Sequence, residues 1–141
     1  GAYIGGADTK QAQYLQRFGQ EIGLAFQIQD DVLGIWGDPA VTGKAAGNDV
    51  LRKKKSLPML HTLNHPTAGA QFGALLAGDV DGGKLPAALA LLESADARAF
   101  AVSAAEAHYA AGMAALEQAL GDKTASSQLR AVAEWLLQRS A

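Results

Sequence analysis

FQIQDDVLGIWGDPAVTGKAAGNDVLRKKKSLP, residues 26–58, decides how the rest of the chain is read. Two adjacent carboxylates, Asp30 and Asp31, stand near the end of an otherwise apolar segment. The cations Arg52 to Lys55 follow a turn-rich stretch and lead into Ser56-Leu57-Pro58. Starting at Tyr14, the residues Leu15, Phe18, Ile22, Ala25, Val32 and Trp36 recur at helical intervals, with a polar step at Gln29. That period predicts one long, largely buried helix ending at Gly37-Asp38-Pro39. At about 100° per residue, Gln27, Asp30, Asp31 and position 34 share one side of it, with Asp30 and position 34 one turn apart. An acid at 34 would complete a pair able to grip one Mg²⁺ through hard oxygen ligands. The residue there is Gly34.

A pair of solvated acids is the simplest alternative. Against it, the pair lies in a largely apolar segment (Ile28, Val32 and Leu33), and negative charge near a helix C-terminus opposes the macrodipole, so a metal or cationic partner is expected. Taken alone, the run from Arg52 to Lys55 fits a solvated cluster or a nucleic-acid patch as well as anything else. Its position just past the acid pair, and directly before a proline suited to opening a helix, favours a different use. Cations on one side and carboxylates on the other would bracket a diphosphate, with Mg²⁺ bridging acid to phosphate oxygen.

Lys44 invites comparison with a nucleotide-binding P-loop, which needs four residues between its glycines and a Ser or Thr after the lysine. Five separate Gly37 from Gly43, Ala45 follows Lys44, and a helix rather than a strand precedes them. A P-loop is excluded.

These residues resemble the second aspartate-rich region of the trans-isoprenyl diphosphate synthases, the polyprenyl synthetase family. The matching pattern is Phe26-Gln27, Asp30-Asp31, Gly37-Asp38-Pro39, Thr42-Gly43-Lys44, Asp49 and the basic run before Pro58. Gly1 to Ala7 resembles the small-residue segment before this helix, and Val132 to Arg139 the C-terminal helix, so the likeness spans the chain as the second half of such an enzyme. It implies an all-α fold, the C-terminal half of an isoprenoid-synthase helical bundle. It also implies Mg²⁺-dependent, head-to-tail condensation of isopentenyl diphosphate with an allylic diphosphate.

On that resemblance Asp30, Asp31 and Asp49 serve the metal, Asp30 directly. Gln27, Lys44 and Lys54 are catalytic, and Phe26, Gln27, Lys44 and Lys54 bind substrate, the lysines neutralising the diphosphate. Lys53 and Lys55 flank Lys54 without being clearly separable from it. The departures are Gly34 in place of the motif's third acid, and no counterpart of the first aspartate-rich motif. The chain by itself is therefore expected to be inactive, and the intact protein to be a homodimer. The other function classes are a non-catalytic partner subunit of a heteromeric synthase and an all-α interaction module.

The composition agrees with a folded domain. Of 141 residues 49% are hydrophobic and 18% charged, enough apolar content for a core and too little charge for disorder. A net charge of −2 gives no general attraction to nucleic acid or anionic membrane, so any polyanion site is local. The absence of cysteine excludes disulfides, thiolate metal sites and a cysteine nucleophile. No apolar run reaches the roughly 20 residues that span a bilayer, and a cytoplasmic location is expected. The opening, without Met or a helix start, is expected to be a cut end.

Downstream, Met59 to Leu63 predicts a short helix stopping before His65-Pro66. His61 and His65 lie four apart, but with no glutamate after His61 they are expected to be surface or satisfied histidines rather than metal ligands. Further helices are expected at about 68–77, 85–92 and 96–120. Gly78 to Gly83 lacks the closing glutamate of a calcium loop and is expected to be a turn. The long helix carries a small-residue face that includes Ala101, Ala105, Gly112, Ala115 and Ala119, and His108 is expected in core or interface. Ser126 or Ser127 caps a last helix with Leu129, Val132, Ala133, Leu136 and Leu137 on its apolar stripe. One all-α unit spanning residues 1–141 is expected.

Overall fold

The computed structural model describes residues 1–38, 40, 46–124 and 127–138. Pro39, Thr42, Gly43, Lys44, Ser126 and Arg139, each singled out above, lie outside them. Among the described residues the regular elements are all helical. They are α1 (Thr9–Trp36), α2 (Asn48–Leu51), α3 (Leu57–Leu63), α4 (Gly69–Ala77), α5 (Leu85–Ser94), α6 (Ala97–Leu120), a 3₁₀ turn (Gly121–Lys123) and α7 (Gln128–Gln138).

The first helix starts a full turn before the apolar period does, because a capping box holds its entry. The Gln11 N–H donates to Asp8 Oδ1 at 2.8 Å, and the Asp8 N–H donates back to Gln11 Oε1 at 3.3 Å. Two of the orphan donors at this end are thereby satisfied. The signature Asp8-x-x-Gln11 is local and lies outside the hydrophobic pattern. At the other end the helix stops at Trp36, as the Gly37-Asp38-Pro39 sequence implies.

The chain forms two compact units, residues 1–27 with 104–141, and residues 28–103. The core of the first is Phe18, Ile22, Ala115, Leu116 and Ala133. Its small-residue face has a direct purpose at Gly112, where a β-carbon would meet Ile22 Cδ1 at 2.9 Å and Glu21 Cβ at 3.3 Å. A larger residue there would force Ile22 to shift, so the glycine lets α1 and α6 pass closely. One turn away from that contact His108 Nδ1 pairs with Glu21 Oε2 at 2.7 Å, a polar tie between the same two helices. On α7 Ser127 is the cap, its hydroxyl accepting the Arg130 N–H at 3.2 Å. The apolar stripe of α7 is only partly covered: Ala133 is buried, while Leu129 and Val132 are exposed.

The second unit packs Ile35, Val50, Met59, Phe72, Ala88, Leu92 and Ala97 into one core. Pro58 stands in the first turn of α3, where its missing N–H costs nothing, and Asn64 closes the helix before His65-Pro66. Both histidines are satisfied. The His61 ring stacks on Phe100 at 4.0 Å with Nε2 3.0 Å from the Ala95 carbonyl, and His65 Nδ1 accepts the Ala68 N–H at 3.4 Å. The segment 78–83 is a turn: Asp81 Oδ1 accepts the N–H groups of Gly83 and Lys84 at 3.0 and 3.1 Å. No helix among the described residues is long and apolar enough to cross a membrane.

Phe72 is fully enclosed and Val132 is half exposed. Phe72→Ala is expected to lower the unfolding free energy by about 3–5 kcal/mol and Val132→Ala by about 0.5 kcal/mol or less, compared by urea denaturation. Similar losses for the two would contradict the core assignment.

Candidate functional site

The last turns of α1 carry Asp30 and Asp31, and their neighbours give the two carboxylates different tasks. Asp31 is 6% exposed. Its Oδ2 accepts the Leu57 N–H at 3.0 Å, capping the first turn of α3 from outside that helix. Ser56 stands in the capping position itself, yet its side chain makes no cap bond. The other oxygen, Asp31 Oδ1, lies 3.0 Å from Lys54 Nζ. Asp30, whose side chain is half exposed, reaches the same ammonium at 3.7 Å.

The third carboxylate is supplied by α2. Asp49 is 8% exposed, and its Oδ2 lies 3.2 Å from Lys54 Nζ. Placing α2 depends on Gly47, which adopts φ +74° directly before it, and whose N–H donates to the Ile35 carbonyl at 2.9 Å. A β-carbon there would meet Leu85 Cδ1 at 2.6 Å. Gly47 therefore serves both the left-handed turn and the close approach.

Three consecutive lysines are separated by one unusual dihedral. Lys53 has φ +51°, a left-handed conformation uncommon for a residue with a side chain. Its Nζ donates to the Gly78 carbonyl at 2.7 Å, and Lys55 is exposed. Lys54 alone of the three turns onto the carboxylates, with its backbone N–H donating to the Asp49 carbonyl at 2.9 Å. The sequence could not reveal this, since nothing in a lysine marks it for positive φ.

Gly34, at the position where an acid would complete the metal-binding pair, lies beneath Asp49. A β-carbon on it would run into the Asp49 carboxylate. The space left by the missing side chain is filled by a carboxylate from elsewhere in the chain.

Electrostatics follow from this crowding. Partial burial disfavours the Lys54 ammonium, but the hydrogen bonds and charges of Asp31 and Asp49 outweigh it and hold the group above the ordinary lysine value of 10.5. Among the described residues no three metal-capable side chains form a cage for an ion. Asp31 and Asp49 are nearly buried and committed to Lys54, which leaves Asp30 as the carboxylate turned toward solvent. A single accessible oxygen ligand fits Mg²⁺, which keeps several waters and is commonly held by one or two carboxylates together with substrate phosphates. Phe26 and Gln27 lie on α1 one turn before the acids and are exposed. Lys44 is outside the described residues.

The polyprenyl synthetase family profile matches residues 1–92. The chain is 40% identical over 139 residues to a geranylgeranyl diphosphate synthase of Mycobacterium tuberculosis, covering 92% of this chain and 38% of that protein. It is 32% identical to a (2E,6E)-farnesyl diphosphate synthase of Mycobacterium bovis, covering 100% of this chain and 41% of that protein. Among solved structures it resembles a polyprenyl synthetase from Streptomyces coelicolor with a TM-score of 0.84 at 33% identity, over 94% of this chain and 42% of that one. It also resembles a geranylgeranyl pyrophosphate synthase from Corynebacterium glutamicum, complexed with isoprenyl diphosphate and magnesium, with a TM-score of 0.79 at 27% identity, over 96% of this chain and 40% of that one. The chain thus spans about two fifths of the length of the relatives it matches, and the all-helical fold is theirs.

A lysine whose folded-state pKa is raised contributes stability that is complete below its unfolded value and is lost as pH rises through the folded one. The stability advantage of the wild type over Lys54→Met is therefore expected to hold from pH 7 to 10 and to shrink above about pH 10.5. Urea midpoints across that range measure it. A gap that stays constant to pH 12 would show that the Lys54 charge plays no part.

Proposed function

We propose that this chain, which belongs to the polyprenyl synthetase family, carries the diphosphate-binding half of a prenyltransferase site of isoprenoid biosynthesis. The reaction is head-to-tail joining of an allylic diphosphate to isopentenyl diphosphate. The observation that carries the proposal is the convergence of Asp30, Asp31 and Asp49 on the Lys54 ammonium at 3.7, 3.0 and 3.2 Å. The names of the matched relatives support it.

In this reading Lys54 is the cation that meets the allylic diphosphate. Asp31 and Asp49 keep it charged and aimed, so that it needs no reorganisation when negative charge develops on the departing group. Asp30 turns its carboxylate outward and would hold Mg²⁺, with Asp31 and Asp49 supporting it from behind through Lys54 and water. When bound, Mg²⁺ supplies positive charge that stabilises the leaving diphosphate. Lys44 adds a second cation, while Gln27 and Phe26 on α1 serve the reacting carbons and the allylic chain. As the allylic C–O bond breaks, the isopentenyl double bond attacks and a proton is lost. The residues for isopentenyl diphosphate, assembly as a homodimer and a cytoplasmic location belong to the same proposal for the whole protein.

In the full-length protein Asp30→Ala is expected to lower turnover by at least ~100-fold, the scale of one strong electrostatic stabiliser. Near-normal turnover would remove Asp30 from the site. Lys54→Ala is expected to weaken allylic diphosphate binding far more than Lys53→Ala, because Lys53 is occupied at the Gly78 carbonyl. Equal effects in steady-state kinetics would refute the separation of the two lysines.

A further inference from the structure

Between the third carboxylate and the cation it meets, the chain makes a helix end of uncommon composition. Helix α2 closes at Leu51, with Arg52 as its capping residue. The Lys53 N–H donates to the Val50 carbonyl at 3.0 Å, and the Lys54 N–H to the Asp49 carbonyl at 2.9 Å. These are the paired bonds of a Schellman motif, which sets a residue of positive φ just past the cap, usually glycine. Lys53 holds that position at φ +51°. The same motif brings the residue after the left-handed one back over the last turn of the helix, most often as an apolar contact. Here the residues so joined are Lys54 and Asp49, and their side chains form an ion pair at 3.2 Å. The left-handed turn at Lys53 is therefore what sets the ammonium against the carboxylate.

A β-carbon makes that conformation unfavourable, and lysine lacks the short polar side chain by which Asn or Asp eases it. The Lys53 side chain is engaged elsewhere, its Nζ donating to the Gly78 carbonyl at 2.7 Å. That acceptor belongs to a braced turn, in which Lys84 Nζ donates to the neighbouring Asp79 carbonyl at 2.6 Å and Asp81 Oδ1 accepts two N–H groups. We infer that Lys53 is a positioning residue: its left-handed backbone, tied down at Gly78, aims Lys54 at the carboxylates and so at a diphosphate. This rests on the diphosphate reading and adds to it the residue that orders the cation. The Lys53 ammonium is a tether and not a phosphate ligand, and glycine at 53 would serve the backbone without one.

The test is calorimetric binding of inorganic pyrophosphate with Mg²⁺ by the full-length protein, comparing wild type, Lys53→Gly, Lys53→Ala, Lys53→Val, Lys54→Ala and the double variant Lys53→Val/Lys54→Ala. The three single substitutions at 53 remove the same charge and the same tether, so differences among them report the backbone. Lys53→Gly is expected to bind within about threefold of wild type, because glycine takes positive φ without strain. Lys53→Val is expected to bind about tenfold more weakly than Lys53→Gly, the scale of a left-handed penalty on a residue with a β-carbon, with Lys53→Ala in between. The double variant is expected to bind no more weakly than Lys54→Ala, since a displaced backbone then has no ammonium to misplace. Equal binding by the three variants at 53, or losses that multiply in the double variant, would overturn the inference while sparing the diphosphate reading. A wild type that binds no pyrophosphate removes both. Urea midpoints show whether Lys53→Val folds; if it does not, the order of the other two decides, and Lys53→Ala binding as tightly as Lys53→Gly would overturn the inference.

Discussion

Everything in the second unit that bears on chemistry depends on holding one ammonium among three carboxylates. Lys54 brings together the end of α1, the short helix α2 and the start of α3, because Asp30 and Asp31 belong to the first, Asp49 to the second, and Asp31 also caps the third through the Leu57 N–H. Without the cation, two nearly buried negative charges would face each other in a region of low polarizability, at a cost that removal of one partner from a buried ion pair makes large. The arrangement still carries an excess of negative charge around a single positive one. Titratable groups crowded in this way occur more often at functional sites than in pairs that serve stability alone.

The backbone around this cluster is bent to serve it. Gly47 at φ +74° and Lys53 at φ +51° lie on either side of α2, so four residues of helix are bounded by two left-handed positions. The second is the more telling, because a lysine in that conformation is held against its own preference by the surrounding contacts. Its side chain is tied to the Gly78 carbonyl and its backbone places Lys54 on the opposite course. A run of identical side chains thus becomes one cation set among carboxylates, one tether and one exposed charge.

In the first unit the governing constraint is steric instead of electrostatic. The alanine-rich face of α6 and the glycine at 112 let it approach α1 until the Ile22 side chain fills the space where a β-carbon would be. The Glu21 to His108 contact then ties the pair by a polar bond. This is helix packing through small residues, and it gives α1 a firm seat in its N-terminal stretch.

Much of this was legible in the chain itself. Hydrophobic residues spaced at the helical period gave the long helix, glycine and proline placed its end, and the adjacent acids followed by a basic run marked where carboxylates and a cation meet, since charge and periodicity are local properties. The start of α1 was legible too, in Asp8 and Gln11, but as capping chemistry and not as hydrophobic pattern. What only the tertiary structure decided was assignment within the cluster: that Lys54 and not its neighbours faces the acids, that Asp31 is buried as a cap while Asp30 looks outward, and that Gly34 is the space in which Asp49 rests. Each depends on a positive φ at a lysine or on atoms from residues fifteen or more positions apart meeting within a few ångströms. A linear pattern specifies which groups are present; only the folded backbone specifies which of several identical groups arrives.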